Sequence, residues 1–472
     1  MATLSDHTGL RLGTLSALYF AQGLPWGFIS VGYSMLLADL GLGAAEIGAA
    51  MGLAYLPWSF KILWGPLLDA VPPLRFGRRR PFIILAELVM GLSLLGLMLV
   101  DPVTDLPLIT AILFINNTFA ALQDVAVDAL AIDILPDDEK ERANAYMWSA
   151  KSLGVVAGGS GGLIVAMYAG WNALFATIGA LLLLIMLLPM GFRERPVQEE
   201  DQGPNASLLK LGIFVLPFVA VGAAMYGMGW LEESLAEAKH WAASFISVAK
   251  PFVAVAGALL AWPLVDRQGF GQLAESFRTP PTWWALLASV LTPAGFALVG
   301  PATSKLVRVD LGLSESRISF LALVDSIAGV VGALIGGAVA KTLGLRPGIG
   351  ALMGGIGAVL ILWAGTESYW STWLWLIGLT ALLGVAVNAY QASTLGLFMR
   401  VSNPRVGATH FAIYMAAANL TFSSTAPLGG LIADRYGFPA LFAVAAIVQV
   451  LTIVALFPID LERAKAHFAR TP

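Results

Sequence analysis

The chain has 472 residues, of which 58% are apolar and only 12% charged, whereas an average soluble domain carries about 25% charged residues. A formal net charge of −3 excludes a nucleic-acid binder that works by electrostatics, and the absence of cysteine excludes disulfides and thiolate metal centres. Apolar runs near the roughly 20 residues that cross hydrocarbon as a helix recur along the whole length, so the chain reads as an all-α polytopic membrane protein.

In chain order these runs predict fourteen helices, over 11–38, 46–69, 81–100, 107–133, 141–168, 171–191, 208–230, 241–265, 282–308, 314–341, 347–364, 371–399, 406–433 and 437–458. The first run is too long for a cleaved signal and is expected to stay as a span. An even number of spans puts both termini on one side. Placing them in the cytoplasm leaves most of the 27 basic residues in cytoplasmic loops, as the positive-inside rule requires. Three lysines (Lys61, Lys151, Lys250) fall within spans. The polar stretches 193–205 and 266–281 set off two extra helices. They divide the chain into a six-helix bundle over 1–195, a cytoplasmic linker with the extra pair over 196–281, and a second six-helix bundle over 282–472.

The two bundles share traces of repetition. Tyr168-Ala-Gly-Trp-Asn-Ala-Leu-Phe175 joins spans five and six, and Tyr436-Gly-Phe-Pro-Ala-Leu-Phe442 occupies the paired join; Gly65-Pro-Leu-Leu-Asp69 has a faded counterpart in Gly337-Ala-Val-Ala-Lys341. Parallel six-helix halves related about the membrane normal are the architecture of major facilitator transporters. The segment Gly65-x-x-x-Asp69 followed by Gly77-Arg78-Arg79-Arg80 resembles the signature loop of that superfamily. There the aspartate sits against a helix N-terminus and the arginines bind carboxylates at helix ends, closing the inner gate. Asp69, Arg78, Arg79 and Arg80 are therefore gate candidates; an arginine run that only marks topology is the alternative. Seven residues, including Pro72-Pro73, separate Asp69 from Gly77, more than the usual spacing.

Four segments occur in order: Phe20-Ala-Gln-Gly-Leu-Pro-Trp-Gly27, Phe60-Lys-Ile-Leu-Trp-Gly-Pro-Leu-Leu-Asp69, Phe76-Gly-Arg-Arg-Arg80 and Gln123-Asp-Val-Ala-Val-Asp128. Together they resemble the AmpG-type muropeptide permeases and the related acetyl-CoA transporters, specifically through about residue 195 and more loosely over 282–458. The resemblance implies that anhydro-muropeptides are the imported solute; an inner-membrane secondary transporter coupled to protons is expected from the two halves, the gate-like loop and the acids at membrane depth. A CoA thioester or a siderophore-like solute is the runner-up.

A charge at the bilayer centre costs roughly 2.5–3.5 kcal/mol on insertion scales, so ionisable residues there are functional candidates. Lys61, Asp124 and Lys151 each fall about eight to ten residues from the inner end of their spans, or about 12–15 Å from that surface. Asp128 lies one turn from Asp124 on the same face, and Asn117 continues the stripe, flanked by Asn116 and Gln123. Lys151 shares its stripe with Gly158 and Gly162, which would admit a close neighbouring helix. A structural ion-pair network is one reading. Proton exchange by Asp124 or Asp128 beside Lys61 and Lys151 is the other, with Asp124 favoured because it lies deeper and level with both lysines.

Further candidate substrate contacts are Gln22, Tyr55, Asn116, Asn117, Gln123, Asp325, Asn388, Tyr390, Gln391 and Asn419, although amides in membrane helices also serve as glue between helices. Trp363, Tyr369, Trp370, Trp373 and Trp375 read as interfacial anchors. Gly158-Gly-Ser-Gly-Gly162 matches a hydrolase elbow in letters only, without the strand, turn and helix around it, so no enzyme is expected. The four histidines lack metal-ligand spacing and no phosphate-binding loop is present. No cofactor or metal is expected, and the energy source must be a gradient. The expected partners are a small polar solute, protons and the bilayer, around a monomer. A non-transporting assembly factor or receptor on the same fold is the alternative of a different class.

Overall fold

A computed structural model describes residues 3–64, 68, 77–101, 105–136, 139–194, 253, 271, 274–300, 302–403 and 407–470. The two extra helices, Asp69 and Lys250 lie outside this set. The described residues are predominantly helical, and the helices coincide with twelve of the fourteen predicted spans. In chain order they are α1 Thr8–Gly27, α2 Ser34–Asp39, α3 Ala44–Tyr55, α4 Arg80–Gly96, α5 Leu106–Ile134, α6 Lys140–Val156, α7 Gly162–Ala169, α8 Trp171–Gly191, α9 Pro280–Leu291, α10 Ala294–Val299, α11 Ala302–Lys305, α12 Glu315–Leu343, α13 Leu345–Gly365, α14 Trp373–Val401, α15 Gly407–Tyr436, α16 Phe438–Leu451 and α17 Leu461–Arg470. Nine helices among the described residues are long and apolar enough to cross a membrane.

Local sequence explains where the helices start and break. Proline opens α4, α5, α9 and α16, where the missing N–H has no helical partner to lose. Gly170 separates α7 from α8 at φ 84°, ψ 167°, and Gly437 separates α15 from α16 at φ 84°, ψ 166°. Only glycine adopts that conformation freely. The two joins that look alike in sequence therefore have the same backbone. Wider π-type turns at Phe28–Tyr33, Ala157–Gly161 and Leu306–Asp310 interrupt three spans, a feature frequent at functional sites.

The chain divides into two compact units, one within Met1–Leu36 and Leu53–Val219, the other within Leu37–Gly52 and Ala220–Pro472. In the first unit α1 packs along α6, and α4 lies between α5 and α8. Lipid tails are as apolar as leucine, so close backbone approach replaces hydrophobic burial as the source of helix association. Gly23 of α1 lies against Gly154 of α6, Gly27 lies against Val155 and Gly159, and a Cβ on Gly158, in the π-type turn that follows α6, would collide with the Leu24 carbonyl. Gly158 thus has the close partner its stripe predicts. Gly162 instead meets the Leu174 side chain of α8.

In the second unit α12 packs along α14, with Gly332 and Gly336 against the Val385 and Ala389 carbonyls. The start of α3 belongs to this unit. The Asp434 carboxylate of α15 accepts hydrogen bonds from the Ala44 N–H at 3.0 Å and the Ala45 N–H at 2.8 Å, and pairs with Lys305 at 2.9 Å. Arg308 beside it binds Asp39 and Glu315. One expectation is corrected here. Trp363 and Trp370 are buried rather than interfacial: both rings contact Phe442, and Trp370 Nε1 donates to the Trp363 carbonyl at 3.1 Å. Tyr369 and Trp375 of the same group are exposed. The linear pattern of tryptophans at a helix end does not reveal which rings turn inward.

Candidate functional site

The polar residues of the first unit gather from α1, the Leu56–Leu63 turn after α3, α5 and α6. Asp124 is buried and lies between two lysines: Lys61 Nζ is 3.5 Å from one carboxylate oxygen and Lys151 Nζ is 3.6 Å from the other. Asp128, one turn further along α5, accepts the Tyr19 hydroxyl of α1. Among the described residues no ion pair within 4 Å reaches Asp128. The two aspartates that look equivalent in sequence therefore differ in kind. Asp124 neutralises a pair of cations, and Asp128 is held by a phenol.

Aromatic rings surround this charge pair. Lys151 Nζ lies 5.7, 5.4 and 5.3 Å from the ring centres of Tyr19, Trp58 and Trp148, within the range of cation–π attraction. Trp58 Nε1 donates to Asn117 Oδ1 at 2.8 Å. Trp26 packs on Tyr55 and Trp58, with ring centres 5.1 and 5.2 Å apart. Tyr19, Gln22 and Trp26 follow one another at helical spacing on a single face of α1. Between its two aromatic neighbours, Gln22 is fully buried with neither amide atom hydrogen-bonded. A buried amide without partners costs free energy unless a ligand or water completes it.

Several other candidates are committed elsewhere. Asn116 donates to the Met90 carbonyl at 3.0 Å and to Ser93 at 2.8 Å, tying α5 to α4. Gln123 donates to Glu87 of α4 and to the Leu18 carbonyl of α1, both at 2.9 Å. In the second unit Tyr390 bonds Thr292 at 2.5 Å, and Asn388 donates to the Gly384 carbonyl of its own helix at 2.9 Å. Asp325 of α12 lies beside Gly384. Gln391 is exposed and Asn419 half-buried.

The arginine run builds a network at the end of the first unit that carries the N-terminus. The Glu194 carboxylate accepts from the backbone N–H groups of Arg78 and Arg79, each at 2.9 Å, and of Arg80, at the N-terminus of α4. Arg79 binds Asp133 at 3.1 Å and the Leu68 carbonyl at 3.2 Å; Arg80 donates to the Pro189 carbonyl. Arg11 binds Glu139 at 2.7 Å. A signal missed in the sequence is Gly430-Leu-Ile-Ala-Asp434, which has the spacing of Gly65-x-x-x-Asp69 and whose aspartate accepts from the N–H groups at the start of α3. Tyr19, Trp26, Trp58 and Trp148 were also missed, because an aromatic residue in a span looks the same whether it faces lipid or a buried charge.

This fold and this buried cluster define a multi-pass membrane transporter. The chain belongs to the Major Facilitator Superfamily, whose family model matches residues 15–307 and 285–471. It is similar to the Anhydromuropeptide permease of Escherichia coli strain K12, 23% identical over 97% of this chain and 82% of that one. It is equally similar to Putative transporter AmpG 4 of Rickettsia conorii, 23% identical over 95% of each. Among solved structures, a point mutant of the nucleoside transporter NupG superposes with a TM-score of 0.65 over 95% of this chain and 99% of that one, at 12% identity. That likeness shows the fold alone.

Proposed function

We propose that this protein is a proton-coupled secondary transporter of a bacterial inner membrane, with both termini in the cytoplasm, that imports an anhydro-muropeptide by alternating access. The reading rests on the first unit's cluster, where a paired aspartate and an aspartate without an adjacent cation sit among aromatic rings and an unsatisfied amide. Trp26, Tyr55 and Trp58 offer faces for sugar rings, and Gln22 offers a donor and an acceptor. Asp128 carries the exchangeable proton. Asp124, favoured in the sequence because it lies deeper and level with both lysines, is the counter-ion of Lys61 and Lys151. Both lysines are already engaged, which leaves neither free for the phosphates of a CoA thioester. The Arg78–Arg80 network, with Asp69, forms the cytoplasmic gate.

Uptake of labelled anhydro-muropeptide into proteoliposomes tests the reading, with acetyl-CoA and an iron chelate as competitors. Accumulation should follow an imposed proton gradient and collapse with it. Asp128→Asn should fold and exchange substrate across the membrane but lose gradient-driven accumulation. Coupled uptake by Asp128→Asn would remove Asp128 from the coupling step, and competition by acetyl-CoA alone would overturn the substrate.

A further inference from the structure

Glu87 lies in the middle of α4 and is completely buried. It is the one charged residue of the predicted span 81–100, which marks it in the sequence by the cost of charge in a span, although no motif surrounds it. Among the described residues no ion pair includes it. The elements packed against α4 bring no cation: α8 contains no charged residue, and on α5 Asp124 is engaged with the lysines, Asp128 with Tyr19 and Asp133 with Arg79. On α1 the Arg11 side chain is bound to Glu139, and Arg80 at the start of α4 is turned to the Pro189 carbonyl.

The polar partner of Glu87 is the fully buried Gln123 amide. Gln123 Nε2 donates one hydrogen to Glu87 Oε1 and the other to the Leu18 carbonyl, both at 2.9 Å. The Leu18 contact fixes which way the amide points, because a flipped amide would set its oxygen against a carbonyl oxygen. Two atoms are then left over, one on each partner: Glu87 Oε2 and Gln123 Oε1 have no hydrogen-bond partner. Two acceptors cannot satisfy each other. A proton on Glu87 Oε2 supplies the donor that Gln123 Oε1 lacks, satisfies both atoms at once and removes a buried charge that no cation offsets.

We propose that Glu87 is held as a neutral carboxylic acid, closed onto Gln123 by two reciprocal hydrogen bonds, and that this acid–amide pair is a positioning element for the coupling site. It locks Gln123 onto the Leu18 carbonyl and so holds the next residue, Tyr19, against Asp128. Its proton stays in place throughout transport. The positioning role rests on the function proposed above; the protonation state does not.

Infrared spectroscopy of the purified protein in a bilayer tests the protonation state. Wild type should show a carboxylic-acid carbonyl band that persists from neutral to mildly alkaline pH and is absent from Glu87→Gln. A band that titrates away over that range, or no band lost in Glu87→Gln, overturns the proposal. Uptake tests the positioning role. Glu87→Gln keeps a donor and an acceptor facing Gln123 and should retain the wild-type pH profile. Glu87→Leu leaves the Gln123 oxygen unpaired and should lower uptake per folded molecule roughly tenfold, with a displaced pH profile. A wild-type profile in Glu87→Leu, or a profile in Glu87→Gln that matches Asp128→Asn, overturns that role. If Glu87→Leu does not fold, Glu87→Gln decides alone. Coupled uptake by Asp128→Asn would defeat the proposed proton site and leave the infrared result standing, so the two failures are separable.

Discussion

In the first unit α1 approaches α6 and the π-type turn after it through Gly23, Gly27, Gly154 and Gly158, and in the second α12 and α14 approach through Gly332 and Gly336. Beside the first seam stand Lys61, Asp124, Asp128 and Lys151, with Tyr19, Trp58 and Trp148 closing over them. Beside the second, the polar side chains other than Asp325 are neutral and mostly serve the backbone. Ser393 donates to the Gly336 carbonyl at 2.9 Å, Thr394 to the Tyr390 carbonyl at 2.8 Å, and Gln449 Nε2 to the Thr292 carbonyl at 2.9 Å. Close packing of membrane helices therefore does not require a charge cluster, since the second seam closes with a single ionisable residue, Asp325, beside it. Charges buried at the first seam impose a cost that packing does not call for, which is the physical ground for assigning them to transport.

Removing Asp124 should break this arrangement most severely. Asp124→Ala leaves two lysines, each about one-sixth exposed, without their shared counter-ion. Stranding one partner of a buried pair typically costs about 3–5 kcal/mol, so folded yield and thermal stability should fall before any transport defect can be measured. Adding Lys61→Met should restore part of the stability, because one buried lysine rather than two is then left without its counter-ion. Thermal unfolding in detergent measures both. Wild-type stability in Asp124→Ala would show that the three-residue ion pair does not hold the bundle together.

A steric test should have a smaller effect and treat the two units alike. A Cβ on Gly158 would collide with the Leu24 carbonyl, and one on Gly336 with the Ala389 carbonyl, whereas nothing lies within 4 Å of a Cβ on Gly354. Gly158→Val and Gly336→Val should each destabilise by about 1–3 kcal/mol or more, the cost of overpacking, with Gly354→Ala near neutral. Unequal losses at the two seams, seen in the same unfolding assay, would mean that the charged cluster and not glycine packing sets the distance between α1 and α6.

The helices were legible in sequence because each span has to satisfy its own backbone and be apolar over a fixed length. The Gly170 and Gly437 joins were legible because a left-handed break leaves a glycine behind. The lysine–aspartate cluster was legible because charge at depth is rare. Its internal order was only partly so. Depth placed Asp124 level with both lysines, and their contacts are made there, but depth does not say which of the two carboxylates exchanges a proton. Asn116 and Gln123 looked like ligands for solute and instead join helices, since an amide has the same letter in either role. Glu87 is legible as a lone charge within a span, but its pairing is not, because its partner is an amide four turns into another span and no pattern of spacing connects them.

The smallest effect should come from Asn388, a sequence candidate for substrate contact. Its amide nitrogen returns to the Gly384 carbonyl of its own helix at 2.9 Å, and its side chain faces Gly329 of α12. That carbonyl is already a helix acceptor, so the extra bond adds little; side-chain hydrogen bonds in membrane helices average about 0.6 kcal/mol. Asn388→Ala should therefore lower stability by about that amount and leave uptake within about twofold of wild type, because one weak bond corresponds to no more than a few-fold change in an equilibrium. Gln22→Ala should differ in kind: with no internal partner to lose, its stability should hold or rise, while the apparent affinity for solute falls. If Asn388→Ala weakens affinity and Gln22→Ala does not, the solute is bound by the second unit, and the contrast between a charged, ligand-facing seam and a neutral, structural one is reversed.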